Sequence, residues 1–204
     1  MKNQSWWLAD AAELRRCHPY TFYKPSQAVI GKLEVGRHVK LIFEFDNPEP
    51  DGPSGERMWV RVTEIRGNRY RGVLDNAPAH LGALRLGDTV EFEERHIIDT
   101  EFEDTEPDIV EKYLPRCFVT RKVLYDGVKA GYLYREEPKE EHDSGWRIMA
   151  GDETDEYMDE SANIFYVSLG AVLNEDDSFL SLLNASPGAA FTRDPQTGEF
   201  KADA

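Results

Sequence analysis

Alternating apolar and polar residues run through the first half of the chain and predict β-strands. In His38–Phe45, every second residue from Val39 onward is valine, leucine or phenylalanine. A later segment repeats the pattern, with Met58, Val60 and Val62 on one side. Successive side chains of a strand point to opposite faces, so a period of two indicates a strand with one buried face. Both segments are therefore predicted to belong to one sheet.

Turn residues divide the strand-like segments of the first half into a meander. Arg66–Asn68 and Gly87–Asp88 each separate two such segments, as tight turns between antiparallel strands do. Asn47–Gly55 contains three prolines and two glycines and is predicted to be an exposed loop. A short helix is predicted around Ala9–Cys17. We therefore expect residues 1–106 to form an antiparallel meander or barrel-like sheet with short helices.

The second half of the chain predicts a separate module with its own sheet. Cys117–Gly127 and Lys129–Pro138 are strand-like and joined by an Asp-Gly turn, which predicts a hairpin. Ile164–Gly170 is also strand-like, whereas Asp176–Ala185 has the capping residue and apolar spacing of a helix. Residues 107–204 are thus predicted to form an antiparallel sheet with one or two helices. The fold class is α+β, in two small modules.

The acidic charge of the chain is concentrated in the second half. The net charge of the 204 residues is -15. Residues 1–100 contain 15 Asp and Glu against 14 Lys and Arg, whereas residues 101–204 contain 24 against 10. A negative field of this kind repels nucleic acid and anionic membranes and attracts basic proteins or cations. We expect a basic partner protein, with no nucleic acid and no membrane, and the oligomeric state is left open.

Motifs for catalysis, metal binding and cofactor binding are absent from the sequence. It contains no Walker A, dinucleotide, G-x-S-x-G, H-E-x-x-H or paired C-x-x-C motif. Gly151–Glu160 lacks the glycine required at the sixth position of an EF-hand loop. Cys17 and Cys117 do not make a disulfide framework, and the first residues lack the apolar core of a signal peptide. The sequence predicts a cytoplasmic protein that is not an enzyme and has no cofactor and no metal, although a hydrolase using clustered carboxylates stays an alternative.

The segment Glu140–Glu160 combines many carboxylates with aromatic and apolar residues. Its carboxylates are interpreted either as a solvated face or as an interaction surface, and its tryptophan either as a core anchor or as an interface hot spot. Aromatic residues supply buried area at protein interfaces, and surrounding charge steers the encounter. The residues predicted to contact the partner are Asp143, Trp146, Asp152, Glu153, Asp155, Glu156 and Tyr157.

The first half offers a second candidate site, for a small ligand in a binding or regulatory module. It comprises Arg57 and Trp59 at a strand entry, together with Asp75 and Asn76. The structural alternative is that Trp59 covers a barrel edge, and that Asp75 and Asn76 satisfy the local backbone of a turn. The sequence leaves both interpretations open.

Motifs in both halves resemble known bacterial families. From about Cys117 to Phe200, the segments CFVTRKV, AGYLYREEP, DSGWRIMAGDE and VSLGAVLN resemble the immunity proteins of polymorphic toxin systems. The first half, with GERMWVRV and YRGVLDNAP, is similar to a second bacterial domain of unknown function that is often found beside the first. The resemblance implies a protein that binds and neutralises a cognate toxin or secreted effector in the producing cell, without catalytic residues.

Overall fold

The computed structural model describes residues 5–46 and 51–203. The chain divides into two units, each with its own hydrophobic core. The first unit comprises the residues up to Cys17 together with Tyr23–Pro107. The second comprises His18–Phe22 and the residues from Asp108 onward. The first four residues of the predicted loop Asn47–Gly55 lie outside the described part of the chain.

The described residues of the first unit form a nearly closed, six-stranded antiparallel sheet. The strands are β1 (Trp6–Leu8), β2 (His38–Phe45), β3 (Gly55–Arg66), β4 (Arg69–Leu74), β5 (Thr89–Glu93) and β6 (Ile97–Thr100). They pair in the order β1-β2-β3-β4-β5, and β6 returns to pair with β2. The helices are α1 (Ala11–Cys17) and α2 (Gln27–Ile30), with a 3₁₀ turn at Glu94–His96.

The core of the first unit contains the apolar residues that alternate along the sequence. Val39, Met58, Val60 and Val62 have no exposed surface. Gly67 supplies the positive φ, 61°, that a tight hairpin turn between β3 and β4 requires. The predicted meander is confirmed, because period-two patterning and turn chemistry specify neighbouring strands locally.

The described residues of the second unit form a six-stranded mixed sheet. Its strands are β7 (Arg116–Thr120), β8 (Tyr132–Arg135), β9 (Asp143–Met149), β10 (Ile164–Ser168), β11 (Ala190–Arg193) and β12 (Phe200–Ala202). Their order is β10-β7-β9-β8-β11-β12, and every pair is antiparallel except β7 with β9. The helices are α3 (Ile109–Lys112), α4 (Arg121–Leu124), α5 (Asp155–Asp159) and α6 (Leu169–Glu175), with 3₁₀ turns at Ser161–Asn163 and Leu180–Asn184.

The α+β fold class with two modules is confirmed, but four details of the second module are wrong. The predicted hairpin of β7 and β8 does not form, because β9 lies between the two strands. Val123 and Leu124 continue the apolar run after β7 yet are buried as part of α4. The strand predicted through Gly170 ends at Ser168, whose side chain caps α6. The predicted helix Asp176–Ala185 is reduced to a 3₁₀ turn. Short apolar runs do not distinguish a buried strand from a buried helical turn.

One face of the second sheet packs against the helices. Cys117, Leu133, Trp146 and Ile148 point to this side and are at most 1% exposed. The buried side chains of α4 and α6 belong to the same core cluster. The opposite face of the sheet therefore carries the alternate residues of each strand.

Candidate interaction surface

Two of the predicted contact residues, Asp143 and Trp146, do not lie on the surface. Trp146 is 1% exposed and belongs to the hydrophobic core. The carboxylate of Asp143 is 3% exposed and forms an ion pair with Arg147, with 3.1 Å between Oδ1 and Nη1. Side chains this deeply buried do not reach a partner, so the structure corrects the prediction for both residues. The charges around β9 in the sequence concealed the fact that the strand itself is interior.

The Asp143–Arg147 pair stabilises the start of β9. The hydrogen bonds from Arg147 lower the pKa of Asp143 to about 2, against the opposing effect of burial. Backbone N–H groups of Gly145 and Lys139 donate to the same carboxylate, at 2.8 and 3.3 Å. Arg147 also pairs with Glu136, at 2.9 Å from Nη2 to Oε2. A buried charge with this many partners holds backbone in place and is not available for chemistry.

Glu153 closes the turn that follows β9. Its carboxylate accepts hydrogen bonds from the backbone N–H groups of Ala150 and Gly151, at 2.8 and 2.7 Å, and from the Thr120 hydroxyl at 2.7 Å. Burial would raise the pKa of Glu153, but these hydrogen bonds outweigh it and lower the pKa. Gly151 adopts a φ of 90°, which a side chain would strain. Glu153, which is among the predicted partner contacts, therefore has a structural task in this turn.

The exposed carboxylates of the predicted site lie just beyond this turn. Asp152 is 73% exposed at its side chain and pairs with Lys122, at 2.7 Å from Nζ to Oδ1. Thr154 caps α5, and Asp155 and Glu156 occupy its first turn. Among the residues that the structure describes, Asp155 and Glu156 have no ion-pair partner. Both side chains are exposed, and hydrogen bonds from the Glu156 backbone and the Thr154 side chain lower the pKa of Glu156.

Tyr157 fastens α5 to the start of α4. Its hydroxyl accepts a hydrogen bond from the backbone N–H of Lys122 at 3.3 Å. The Lys122 ammonium lies 5.0 Å from the centre of the Tyr157 ring, within the range of a cation–π interaction. Tyr157 is half-buried and presents only part of its ring to solvent. It thus positions the exposed carboxylates as well as bordering them.

The sequence interpretation missed an aromatic layer on the open face of the second sheet. The rings of Phe118 and Tyr166 stack at 4.7 Å, and Phe118 is 39% exposed. The guanidinium of Arg147 lies 4.8 Å from the centre of the Phe118 ring. The signal was available, because Phe118 alternates with the buried Cys117 and Val119. The strong acidic run drew the prediction elsewhere.

The alternative site in the first unit is largely occupied by its own contacts. The backbone N–H of Trp59 donates to Asn76 Oδ1 at 2.7 Å, and Lys40 lies 4.3 Å above the Trp59 ring. Asp75 pairs with His38 at 3.0 Å. Of the four residues, Arg57 and Asp75 are exposed, whereas Trp59 and Asn76 are half-buried. The neighbouring Met58 and Val60 enter the core, as the structural interpretation of this segment predicts.

A cavity of about 360 Å³ in the first unit lies apart from these four residues. It is lined by charged side chains of β3, β4 and β5 beside the stacked rings of Tyr70 and Phe92. Over residues 5–46 and 51–203, no group of three His, Cys, Asp or Glu residues is placed to hold a metal ion. No helix in this described part is both long enough and apolar enough to cross a membrane.

Comparison with known families places an immunity-protein domain in the second half of the chain and a bacterial domain without an assigned function in the first half. Residues 117–203 match the family described as the Immunity protein Imm33 domain. Residues 10–108 match DUF2314, described as an uncharacterized protein conserved in bacteria. The resemblances inferred from the motifs are thereby confirmed for both halves. Comparisons with curated proteins and with solved structures gave no match.

Proposed function

We propose that this chain is an immunity protein that binds and neutralises a cognate bacterial toxin or secreted effector. The observation that carries the proposal is the match of residues 117–203 to the Imm33 family, which spans nearly the whole second sheet. A protein of this class acts by occupying its partner and needs no catalytic group of its own. Its place of action is the cytoplasm of the producing cell, where the toxin would otherwise act.

The partner is a basic protein, and the exposed acidic surface after β9 attracts it. This surface comprises Asp152, Asp155 and Glu156, with Tyr157 positioning it. Asp155 and Glu156 form no ion pair within the described residues, and residues 101–204 hold 24 acidic against 10 basic residues. Opposite charge accelerates encounter and suppresses wrong partners. Glu153 holds the turn that precedes it.

A small-ligand function finds less support in the first unit. The backbone N–H of Trp59 donates to Asn76, and Asp75 pairs with His38. The cavity beside Tyr70 and Phe92 does not include these residues. DUF2314 gives no ligand class. The immunity function is therefore preferred to this alternative.

Purified components test the proposal. The probe is the product of the gene immediately upstream of this chain, first shown to arrest growth when expressed alone and then assayed for its own activity in vitro. Titration with the full chain is expected to abolish that activity at one-to-one stoichiometry, with a stable complex in gel filtration. Full activity in the presence of excess chain would refute the proposed function.

Charge reversal tests the acidic surface separately. An Asp155→Lys/Glu156→Lys variant is expected to bind the same toxin at least about tenfold more weakly at low salt, with a shallower salt dependence, because two steering charges are reversed. Glu34→Lys/Asp51→Lys is the matched control, since it makes the same change in net charge on exposed residues of the first unit. Equal weakening by both variants would show that only net charge matters and would remove this surface from the proposal.

A further inference from the structure

The open face of the second sheet carries a continuous aromatic layer across four neighbouring strands. We call it the aromatic face. Tyr166 on β10 pairs with Phe118 on β7, and Arg147 on β9 pairs with both Phe118 and Tyr134 on β8. Tyr132 lies beside Tyr134, with 5.8 Å between ring centres. The members of the face are Phe118, Tyr132, Tyr134, Arg147, Met149, Ile164 and Tyr166.

This composition is typical of the centre of a protein interface. Tyrosine, phenylalanine, methionine and arginine are enriched there, and Lys, Glu and Asp are depleted. The rings of the face are already ordered by stacking and by strand pairing, so binding would immobilise few side chains. Phe118 is exposed at 39% although it lies on an inner strand of the sheet. An exposed phenylalanine inside an ordered aromatic layer indicates a surface built for contact.

The single cation at the centre of the face is neutralised from within. The side chain of Arg147 is 9% exposed and pairs with both Asp143 and Glu136. Its guanidinium lies over the Phe118 ring, 4.8 Å from the ring centre. The centre of the face around Arg147 therefore behaves as an apolar and aromatic surface. Arg116 adds one exposed cation at its edge, 5.5 Å from the centre of the Tyr166 ring.

Acidic segments border the aromatic face at both ends of β9. The segment before it, Glu136–Glu141, touches the face directly, because the Tyr166 hydroxyl donates to Glu140 Oε1 at 2.7 Å. That hydrogen bond raises the pKa of Tyr166 to about 12. The segment after it, Asp152–Glu160, begins three residues beyond the end of the strand at Met149. The seven residues of β9 span six steps, so its two ends lie about 20 Å apart at 3.3 Å per residue.

Each acidic end has charges to offer a partner. Glu137 and Glu141 are exposed at one end, and Asp155 and Asp159 are exposed at the other. None of the four forms an ion pair with another described residue. The first pair belongs to the segment that contacts the face through Glu140, and the second pair follows the opposite end of β9 along the chain.

We infer that the aromatic face is the docking surface for the neutralised toxin. The occupant that fits it is a basic protein surface with apolar or aromatic residues in the middle and Lys or Arg on two sides, about 20 Å apart. A second copy of this chain would bring like-charged ends together, and a nucleic acid would be repelled by both. The inference rests on the proposed function and names the surface that performs it.

Substitution on the aromatic face tests the inference with the same upstream gene product as probe. A Phe118→Ala/Tyr166→Ala variant of the full chain is expected to bind at least about tenfold more weakly by calorimetry, as truncation of interface anchors does. Tyr125→Ala is the matched control, because Tyr125 is 62% exposed in the same unit and lies outside the face. The control is expected to bind within about twofold of the wild-type chain.

Side-chain footprinting of the wild-type complex gives an answer that does not depend on the folding of a variant. Hydroxyl-radical labelling of Phe118, Tyr134 and Tyr166 is expected to fall in the complex, while that of Tyr125 stays unchanged. A complex that neutralises the toxin yet leaves Phe118 and Tyr166 fully labelled would overturn the inference and leave the immunity function standing. A wild-type chain that fails to bind and to neutralise would overturn the proposed function, and the inference with it.

The rate of association with the toxin tests the role of the acidic residues before and after β9. Glu137→Gln/Glu141→Gln and Asp155→Asn/Asp159→Asn are each expected to slow association severalfold and to leave dissociation nearly unchanged, because rim charges act mainly on encounter. If only one pair slowed association, the partner would approach from one end and the bridging geometry would be wrong.

Discussion

Neighbouring residues of β9 serve opposite faces of the second sheet. Trp146 fills the core, where its ring also lies 6.4 Å from that of Phe191. Arg147 points the other way and completes the aromatic face. A shift of one position in register would exchange an apolar anchor with a buried ion pair, so the strand is strongly specified.

Truncation of Trp146 tests its role as core anchor. Trp146→Ala is expected to lower the free energy of unfolding by about 3–5 kcal/mol, because it leaves a large cavity in the second core. Trp146→Phe should cost clearly less, since most of the ring volume is kept. Urea denaturation followed by circular dichroism measures both. A loss below about 1 kcal/mol for the alanine variant would contradict the role of Trp146 as an anchor of the core.

Asp143 should make stability sensitive to acid. Its pKa in the folded chain, about 2, lies below its ordinary value of 3.8. The ion pair therefore contributes stability above about pH 5, and that contribution is lost as the pH falls toward 2. Asp143→Asn is expected to lower stability by about 3 kcal/mol at pH 7, because Arg147 loses a buried partner.

The dependence of the free energy of unfolding on pH distinguishes this role of Asp143 from a general packing defect. Between pH 5 and pH 2 the wild-type chain should lose about 2 kcal/mol more than the variant does. Parallel acid profiles for the two proteins would mean that Asp143 is not the titrating partner of Arg147.

The burial of single residues could be predicted from strand periodicity, whereas their hydrogen-bond partners could not. The segment that contains Trp146 and Ile148 has the period of two expected of a strand, so their burial was accessible from the pattern. Glu153 was not accessible, because its three donors come from a turn and from β7 that only the fold brings together. Asp155 and Glu156 are exposed. Their contact with a partner stays a prediction.

At the scale of elements, Gly145 explains the DSGW motif. Arg116 pairs with Asp143 and Phe118 pairs with Arg147, so four steps along β9 match two along β7. The extra residues form a bulge at Gly145, whose φ is 80°. A Cβ there would collide with the backbone oxygen of Glu136. Ser144 completes the motif by donating to the carbonyl of Arg116 at 2.7 Å.

A pair of glycine substitutions tests this account of the bulge. Gly145→Ala is expected to destabilise the chain by about 3 kcal/mol, from a strained φ and from the collision. Gly127→Ala is the control, because Gly127 has a similar φ of 72° but no atom within 4 Å of the added Cβ. It should cost about 1 kcal/mol. Equal losses in thermal unfolding would show that the collision is relieved and that the bulge is adaptable.

In the first unit, strands joined by tight turns were predictable. In the second unit, the Asp-Gly turn after β7 predicted a hairpin that does not form, because β9 lies between β7 and β8. The meander of β2, β3 and β4 follows from alternation and from the turn at Gly67. The parallel pairing of β7 with β9 depends on a connection that contains α4 and β8, and no local pattern announces it. The segment His18–Phe22 joins the second unit through contacts with residues that are far away in the sequence. One is the hydrogen bond from the Tyr20 hydroxyl to Asp177, at 2.9 Å.

At the scale of the whole molecule, charge and fold act together. The sequence separates a nearly neutral first half from an acidic second half, and acidic segments precede and follow β9, the strand that carries Arg147 of the aromatic face. Steering by charge and anchoring by aromatic residues are separate contributions to binding, one to the rate of association and one to the rate of dissociation. An immunity protein needs both, because its toxin must be captured quickly and held.

Growth of a bacterium that expresses the upstream-encoded toxin tests the central claim most directly. Cells that also express this chain are expected to grow at the rate of toxin-free cells, and cells that express Phe118→Ala/Tyr166→Ala in its place should be arrested. Tyr125→Ala should protect like the wild-type chain. Arrest of growth despite ample wild-type chain would contradict the claim that this protein confers immunity.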